Sequence, residues 1–234
     1  MSDQTETRRD LHRKKKRYCT TSRLPFYEVA SRYFPQDENS VIIDIGSGKG
    51  EFSDYLELDK KYKKVFLLDG NEKTVGELKK SGKNAALYEA PGKIPFENST
   101  ADYIHCSHLV EHLEPESLYL FLQEIDRVLK SGGILCISTP LLWPAFYSDL
   151  SHIKPYNPDV FLNYLSGASV NRSRSVISTT YKKLDLTYRY TSAEPELGSD
   201  LFFVDLILQG FHRLAFALKI RRFRKNGYTL VLKK

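Results

Sequence analysis

"VIIDIGSGKGEF", Val41 to Phe52, decides how the rest of the chain is read. A short run that is apolar apart from Asp44 ends at three glycines, Gly46, Gly48 and Gly50, with Ser47 between the first two. Isoleucines, a glycine turn and then Glu51 and Phe52 read as a buried strand turning tightly into a helix. Glycine loops after strands often cradle phosphates, yet both common patterns fail here. The G-x-x-x-x-G-K-[ST] motif is absent, and the loop is spaced G-x-G-x-G where a dinucleotide fingerprint has G-x-G-x-x-G. Asp44 at the mouth of the loop would repel a pyrophosphate and attract an ammonium or sulfonium. S-adenosylmethionine carries both cations and no phosphate, so the carboxylate makes sense for that ligand.

Outward from this stretch, strands and helices alternate. "SRLPFYEVASRYF" (Ser22–Phe34) predicts a leading helix, with the strand Val41–Ile45 and a helix over Gly50–Leu58 behind it. Strands are expected at Lys64–Leu68, Ala85–Glu89, Ala101–Cys106 and Ile134–Ser138. Helices are expected from Glu72 to about Ser81 and over Pro115–Lys130, where Leu118, Phe121, Leu122, Ile125, Val128 and Leu129 recur at helical spacing and "SGG" follows as a stop. Such alternation implies an α/β, doubly wound, Rossmann-like and mostly parallel sheet. After Pro140 comes an aromatic loop (Pro140–Pro158), a short helix from Asp159 to about Ser166, strands at Ser175–Leu184 and Tyr228–Lys233, and between them the apolar then basic Leu201–Arg224.

The second strand ends "VFLLDG", which sets Asp69 just beyond it, where an acidic side chain can accept hydrogen bonds from two ribose hydroxyls. Four blocks in order, "VIIDIGSGKG", "VFLLDG", "IPFENSTADYIHCSHLVEHL" and "EIDRVLKSGGILCISTP", resemble the class I S-adenosylmethionine-dependent methyltransferases, nearest to those of bacteria acting on small molecules and surface polysaccharides. The resemblance spans about Ser40 to Pro140. It implies a seven-stranded sheet with its last strand antiparallel, and the Leu201–Arg224 stretch between the two late strands reads as a helical insertion. It makes Asp44 and the loop Gly46–Ser47–Gly48–Gly50 holders of the methionine part, Asp69 the ribose ligand, and Gly70 and Asn71 neighbours of the adenine. Cys106, Ser107 and His108 would lie past the fourth strand near the sulfonium. Where the family has an acidic adenine ligand this chain has Ala90, and Glu89 beside it is taken for that role.

Methyl transfer to a hydroxyl needs a proton acceptor. His108 is one candidate, with His112 in the family's "EH" pair read as structural. The sharper one is His152 in "SDLSHIKPY", with Asp149 three residues ahead to orient its imidazole, a block resembling loops of bacterial sugar methyltransferases. Trp143, Tyr147 and Tyr156 are expected to wall the acceptor pocket.

Charge is uneven along the 234 residues. Residues 1–18 carry +4 and 201–234 carry +7 out of a net +6, so the middle is −5. Basic ends suggest an anionic partner such as the inner face of a membrane. Leu201–Lys225 reads as a cap, a homodimer face or an interfacial helix. Three cysteines without metal spacing or disulfide parity predict a reduced, cytoplasmic protein with no metal. The expected organisation is a basic arm over 1–21 and one methyltransferase domain over 22–234, with acceptor-side elements at about 141–170 and the insertion at about 190–225. The leading function is methylation of a saccharide hydroxyl or similar small acceptor. RNA methylation is the runner-up, disfavoured because no base-methylase Pro-Pro block follows the fourth strand, and an inactive binding protein on the same fold is the non-enzyme alternative.

Overall fold

The computed structural model describes residues 7–167, 174–193 and 222–234, together with Val204, Ile207, Phe211 and Leu214. Seven strands form one sheet: β1 Val41–Ile45, β2 Lys64–Asp69, β3 Ala85–Leu87, β4 Ala101–Ser107, β5 Leu129–Pro140, β6 Lys182–Ala193 and β7 Arg222–Lys233. Their order is β3-β2-β1-β4-β5-β7-β6. The strands β1 to β5 pair in parallel, whereas β7 runs antiparallel to β5, with Cys136 opposite Val231. This is the doubly wound sheet expected from the alternation and the resemblance. Strand order reverses direction between β1 and β4, so the crevice beyond their carboxyl ends is where a ligand of such a sheet binds.

The sheet is buried because helices cover it, and its inner strands read as continuous apolar runs for that reason. Ile42, Ile43 and Ile45 of β1 are fully buried. The helix α6, Pro115–Val128, turns Leu118, Phe121, Leu122, Ile125 and Val128 inward. Its Arg127 donates to the Phe96 and Ile94 carbonyls, and Glu124 accepts from the Ile94 amide. The segment before β4 is thereby fastened.

Boundaries move where local chemistry overrides periodicity. The expected helix Gly50–Leu58 is two pieces, α3 Glu51–Tyr55 and α4 Leu58–Lys61, because Glu57 takes a left-handed φ of 52° between them. "SGG" does not simply stop α6, since β5 already begins at Leu129 and carries those glycines, with Gly132 at φ 80°. The strand expected at Ser175–Leu184 starts instead at Lys182. Ahead of it, Ser178 Oγ accepts from the Thr180 amide and bonds its hydroxyl, a local turn that competes with strand pairing. The leading helix α2 is Leu24–Ser31, α5 is Glu72–Lys80 and α7 is Pro158–Leu165.

The chain divides into two compact units: Arg23–Thr187 with Gly227–Lys234, and Met1–Ser22 with Tyr188–Asn226. In the second, α1, Arg8–Arg17, is capped by Thr7 and ends in four basic residues that suit the negative end of a helix. The Tyr18 carbonyl after it accepts from the Tyr190 amide at 2.9 Å, and His12 meets the Phe223 ring edge-on. The expected N-terminal arm and late insertion thus belong to one unit. Most of Leu201–Arg224 lies outside the described residues, but Val204, Ile207, Phe211 and Leu214 are helical and exposed.

Candidate cofactor and acceptor site

At the carboxyl end of β1, Gly46, Gly48 and Gly50 all take positive φ, 73°, 52° and 80°. A β-carbon on Gly46 would stand 2.9 Å from Leu109 Cδ1, so both conformation and close approach demand glycine there. The amides of Gly46 and Ser47 donate to the Leu68 carbonyl, and the Gly48 amide donates to Asp69 Oδ2 at 2.8 Å. These donors are spent inside the protein, consistent with a loop that holds no phosphate. Asp69 Oδ1 accepts from the Asn71 amide, and Asn71 in turn caps α5 by accepting from Thr74. The Asp69 carboxylate therefore fixes the loop while sitting at the end of β2.

One recess open to solvent gathers Asp44, Gly46, Ser47, Gly48 and Ser107 from the expected set. Lys49, inside the expected Gly46–Gly50 loop, also lines it, as do Arg23, Tyr27, Glu51, Phe52 and His105, five residues that sequence reading missed. Asp44 is 2% exposed and its Oδ1 lies 2.7 Å from His105 Nδ1. The His105 ring stacks on Phe52 at 3.6 Å between centroids and 12° between planes. A histidine inside the otherwise apolar "YIHC" was the signal available, since it shares a strand face with Ser107 by alternation. Ser47 Oγ is buried without a partner among the described residues. A buried carboxylate, an orphaned hydroxyl and the Arg23 guanidinium fit the ammonium and carboxylate of an amino-acid ligand.

Several expected site residues are corrected. Cys106 lies within β4, not past it, and its side chain points away from Ser107 and is fully buried. Burial pushes its thiol well above the usual cysteine range, so it acts as a small hydrophobe. Tyr156 is 3% exposed, donates to the Leu113 carbonyl, and has its own carbonyl bonded by the Tyr228 hydroxyl, so it packs the loop base and is not among the residues lining the recess with Asp44. Asp149 does not orient His152 as expected. Its Oδ1 accepts from Ser151 amide and hydroxyl, which holds its carboxyl below the usual range, and its Oδ2 stands 3.9 Å from His152 Nε2. The Phe146 carbonyl orients His152 in its place, 2.7 Å from Nδ1. Glu89 is exposed, Ala90 precedes a cis Pro91, and neither lines the recess with Asp44.

On the acceptor side, His108 holds a left-handed φ of 54° in the turn after β4. A non-glycine residue there is uncommon, and such outliers gather at sites that fix a geometry. Its Nδ1 meets Glu111 Oε1 at 3.1 Å, and Thr139 donates to Glu111 Oε2. Burial raises the Glu111 carboxyl, but the His108 bond and charge together with Thr139 outweigh it and leave it lowered. The Glu111 carbonyl accepts from Ile153 and Lys154, and His112 Nδ1 bonds the Ser151 carbonyl. His112 and His152 sit with ring centroids 5.1 Å apart, within ligand distance of Glu111. Beyond them, Leu142, Tyr147, Leu150 and Ile153 are exposed, and Trp143 is half-buried.

Comparison with known proteins bears on this geometry. Residues 43–137 match the family model described as "Methyltransferase domain". An uncharacterized chloroplastic methyltransferase of Arabidopsis thaliana is 26% identical over 148 residues, 59% of this chain. The match spans only 41% of that relative's length. A SAM-dependent methyltransferase from Archaeoglobus fulgidus superposes with TM-score 0.56 at 22% identity, covering 97% of this chain and 100% of that one. Geranyl diphosphate C-methyltransferase of Streptomyces coelicolor A3(2), in complex with S-adenosyl-L-homocysteine, superposes with TM-score 0.57 at 10% identity, covering 90% and 78%. At these identities the solved structures speak for the fold, while the family match and the chemistry of the recess speak for the cofactor. Residues 43–137 thus match a methyltransferase domain, on a fold shared with solved S-adenosylmethionine-dependent methyltransferases, and S-adenosylmethionine is the cofactor that this match and the recess support.

Proposed function

We propose that the protein O-methylates a saccharide or a similar polar small acceptor, with His152 as the proton acceptor. The observation that carries this reading is the fixed imidazole. With Nδ1–H donating to the Phe146 carbonyl, Nε2 keeps its lone pair and the ring cannot swing. S-adenosylmethionine supplies an already activated methyl carbon, so the protein's work is binding, orientation and proton removal. Asp44 takes the ammonium of the methionine part and Ser47 and Arg23 its carboxylate, while Asp69, at the end of β2 and bonded to the Gly48 amide outside the lining of that recess, takes the ribose. With the methyl donor bound, the acceptor oxygen would face its methyl group, and His152 Nε2 would take the hydroxyl proton. Trp143 and Tyr147 supply the flat faces on which a sugar ring rests.

The test is transfer of labelled methyl from S-adenosylmethionine into fractionated bacterial extract. Label in soluble or lipid-linked saccharide supports the reading, and label confined to RNA overturns it.

A membrane-bound acceptor is favoured by a separate observation. The unit Met1–Ser22 with Tyr188–Asn226 holds 14 Lys/Arg against 7 Asp/Glu, so it carries +7 and the rest of the chain −1. Val204, Ile207, Phe211 and Leu214 in the same unit recur at helical spacing and are exposed. Among the described residues no helix is long and apolar enough to cross a membrane, so the contact proposed is peripheral, on anionic lipid. Sedimentation with vesicles containing phosphatidylglycerol, lost in 0.5 M salt (where the Debye length is about 4 Å) or with pure phosphatidylcholine, is the expected result. Self-association with no lipid binding would assign the apolar stripe to a homodimer instead.

A further inference from the structure

Two histidines on the acceptor side each spend one ring nitrogen on a backbone carbonyl and keep the other. His112 ends the single turn Val110–His112 that follows β4, and its Nδ1 lies 2.9 Å from the Ser151 carbonyl. His152 belongs to the loop after β5, with Nδ1 2.7 Å from the Phe146 carbonyl. A carbonyl only accepts, so Nδ1 carries the proton in both rings and Nε2 presents its lone pair. The Ile153 and Lys154 amides donate to the Glu111 carbonyl and lace the loop to the turn, which sets His152 beside His112. The two rings are tilted by 53°, so they meet without stacking.

Glu111 completes a triangle. One ligand atom from each of Glu111, His112 and His152 lies within 4.8 Å of the other two. An ion held at about 2.0–2.2 Å from each ligand fits among them after a small inward turn of the side chains. Glu111 is fully buried, and His108 and Thr139 bond one carboxylate oxygen each. Each oxygen keeps a further lone pair, and the two bonds orient the carboxylate as outer partners orient a metal ligand. The carbonyls of Ser151 and Phe146 do the same for the imidazoles. Both histidines are partly exposed, which leaves an approach from solvent. Asp149 Oδ2, 3.9 Å from His152 Nε2, adds a second negative charge beside them. Two imidazoles and a carboxylate suit zinc, cobalt, nickel or iron(II), whereas magnesium and calcium prefer oxygen ligands throughout. Three protein ligands also leave a position open, as sites that act on a substrate do.

We propose that Glu111, His112 and His152 form a three-ligand site for a divalent transition ion, with the acceptor hydroxyl as its further ligand. The inference goes beyond the acceptor chemistry proposed above and draws on the same atom, since a filled site leaves His152 Nε2 no lone pair for a proton. The ion then serves in its place. It binds the acceptor oxygen and lowers the hydroxyl pKa, so that the proton leaves to water.

The experiment is titration of the full chain, first stripped with a chelator, with Co2+ followed by visible absorption and with Zn2+ followed by calorimetry. The wild-type protein is expected to bind about one ion per chain with the d–d bands of nitrogen and oxygen ligation. About a tenfold excess of Mg2+ is expected not to displace it. Proton NMR of the Co2+ protein should show two hyperfine-shifted, exchangeable imidazole N–H signals, one per histidine, which reads the ligand set without any variant. His112→Asn and His152→Asn each keep an N–H near the Nδ1 position for the carbonyl but lose Nε2. Each is expected to weaken ion binding about a hundredfold or more. Absence of saturable binding in wild type overturns the proposal, whether or not the variants fold. So does a thiolate charge-transfer band, which would put the ion on a cysteine, fewer than two shifted N–H signals, displacement by Mg2+, or wild-type affinity in either variant. Because the readout is ion binding, any of these failures leaves the saccharide reading and the proton-acceptor role of His152 standing.

Discussion

The two ends of the candidate site are built on opposite terms. On the cofactor side, Gly46, Ser47, Gly48 and Asn71 amides all have internal partners, and Asp69 and Asp44 are held by hydrogen bonds. On the acceptor side, the loop after β5 is pinned near its base through His112, His152 and the Glu111 carbonyl, while its tip is open, with Leu150 fully exposed and Tyr147 61% exposed. A ligand of fixed chemistry suits a prebuilt, internally satisfied recess. A loop whose outward side chains carry no structural duty is free to be shaped by whatever it binds.

The largest effect expected from this contrast is at Asp44. Asp44→Ala should cost about a hundredfold or more in S-adenosylmethionine affinity, since it removes a buried charge partner, and calorimetry reads it directly. Affinity within threefold of wild type would put the ammonium elsewhere. Next is His152→Ala, expected to lower turnover about a hundredfold at neutral pH with cofactor affinity unchanged. Wild-type turnover would remove the proton-acceptor role and leave His152 as a loop anchor. Asp69→Ala should weaken cofactor binding about tenfold or more while the fold survives, and unchanged affinity would overturn the ribose assignment.

Glu111 joins the two sides, and its effect is on stability. Its folded carboxyl is lower than in the unfolded chain, so the stabilisation is fully present above the ordinary glutamate range and is lost as pH falls through the folded value. Glu111→Gln should cost about 2 kcal/mol at neutral pH and flatten the acid limb of a melting-temperature profile. An unaltered profile would mean that His108 and Thr139 stabilise the carboxylate no better than water does. The smallest change is expected at Leu150→Ser, within about 0.5 kcal/mol of wild-type stability, because this side chain is fully exposed. A large loss of stability there would break the contrast between a rigid cofactor side and a free acceptor loop.

The two sides also differed in how far they could be read beforehand. The strands β1 and β4 and the helix α6 follow from apolar periodicity, and the glycine loop with its acid follows from local charge and spacing. Those are short-range properties of the chain. His105 of β4, Arg23 and Tyr27 at the start of and within α2, and Phe52 of α3 reach the recess from three elements, and only tertiary packing brings them to Asp44. Asp149 shows the converse. Its spacing to His152 suggested a pair, yet a serine two residues along was nearer and took the carboxylate first. Tyr156 misled for a related reason, since an aromatic in a loop looks available until its hydroxyl finds a carbonyl. Strand edges moved where hydroxyls offered the backbone another partner, as at Ser178.

The doubled bond from Gly46 and Ser47 to the single Leu68 carbonyl has a kinetic meaning. A loop tied to the neighbouring strand has its binding shape before any ligand arrives, so encounter need not wait for a rearrangement. Stopped-flow mixing with S-adenosylmethionine should then give a single phase whose rate rises in proportion to ligand concentration, without the plateau that a closing step imposes.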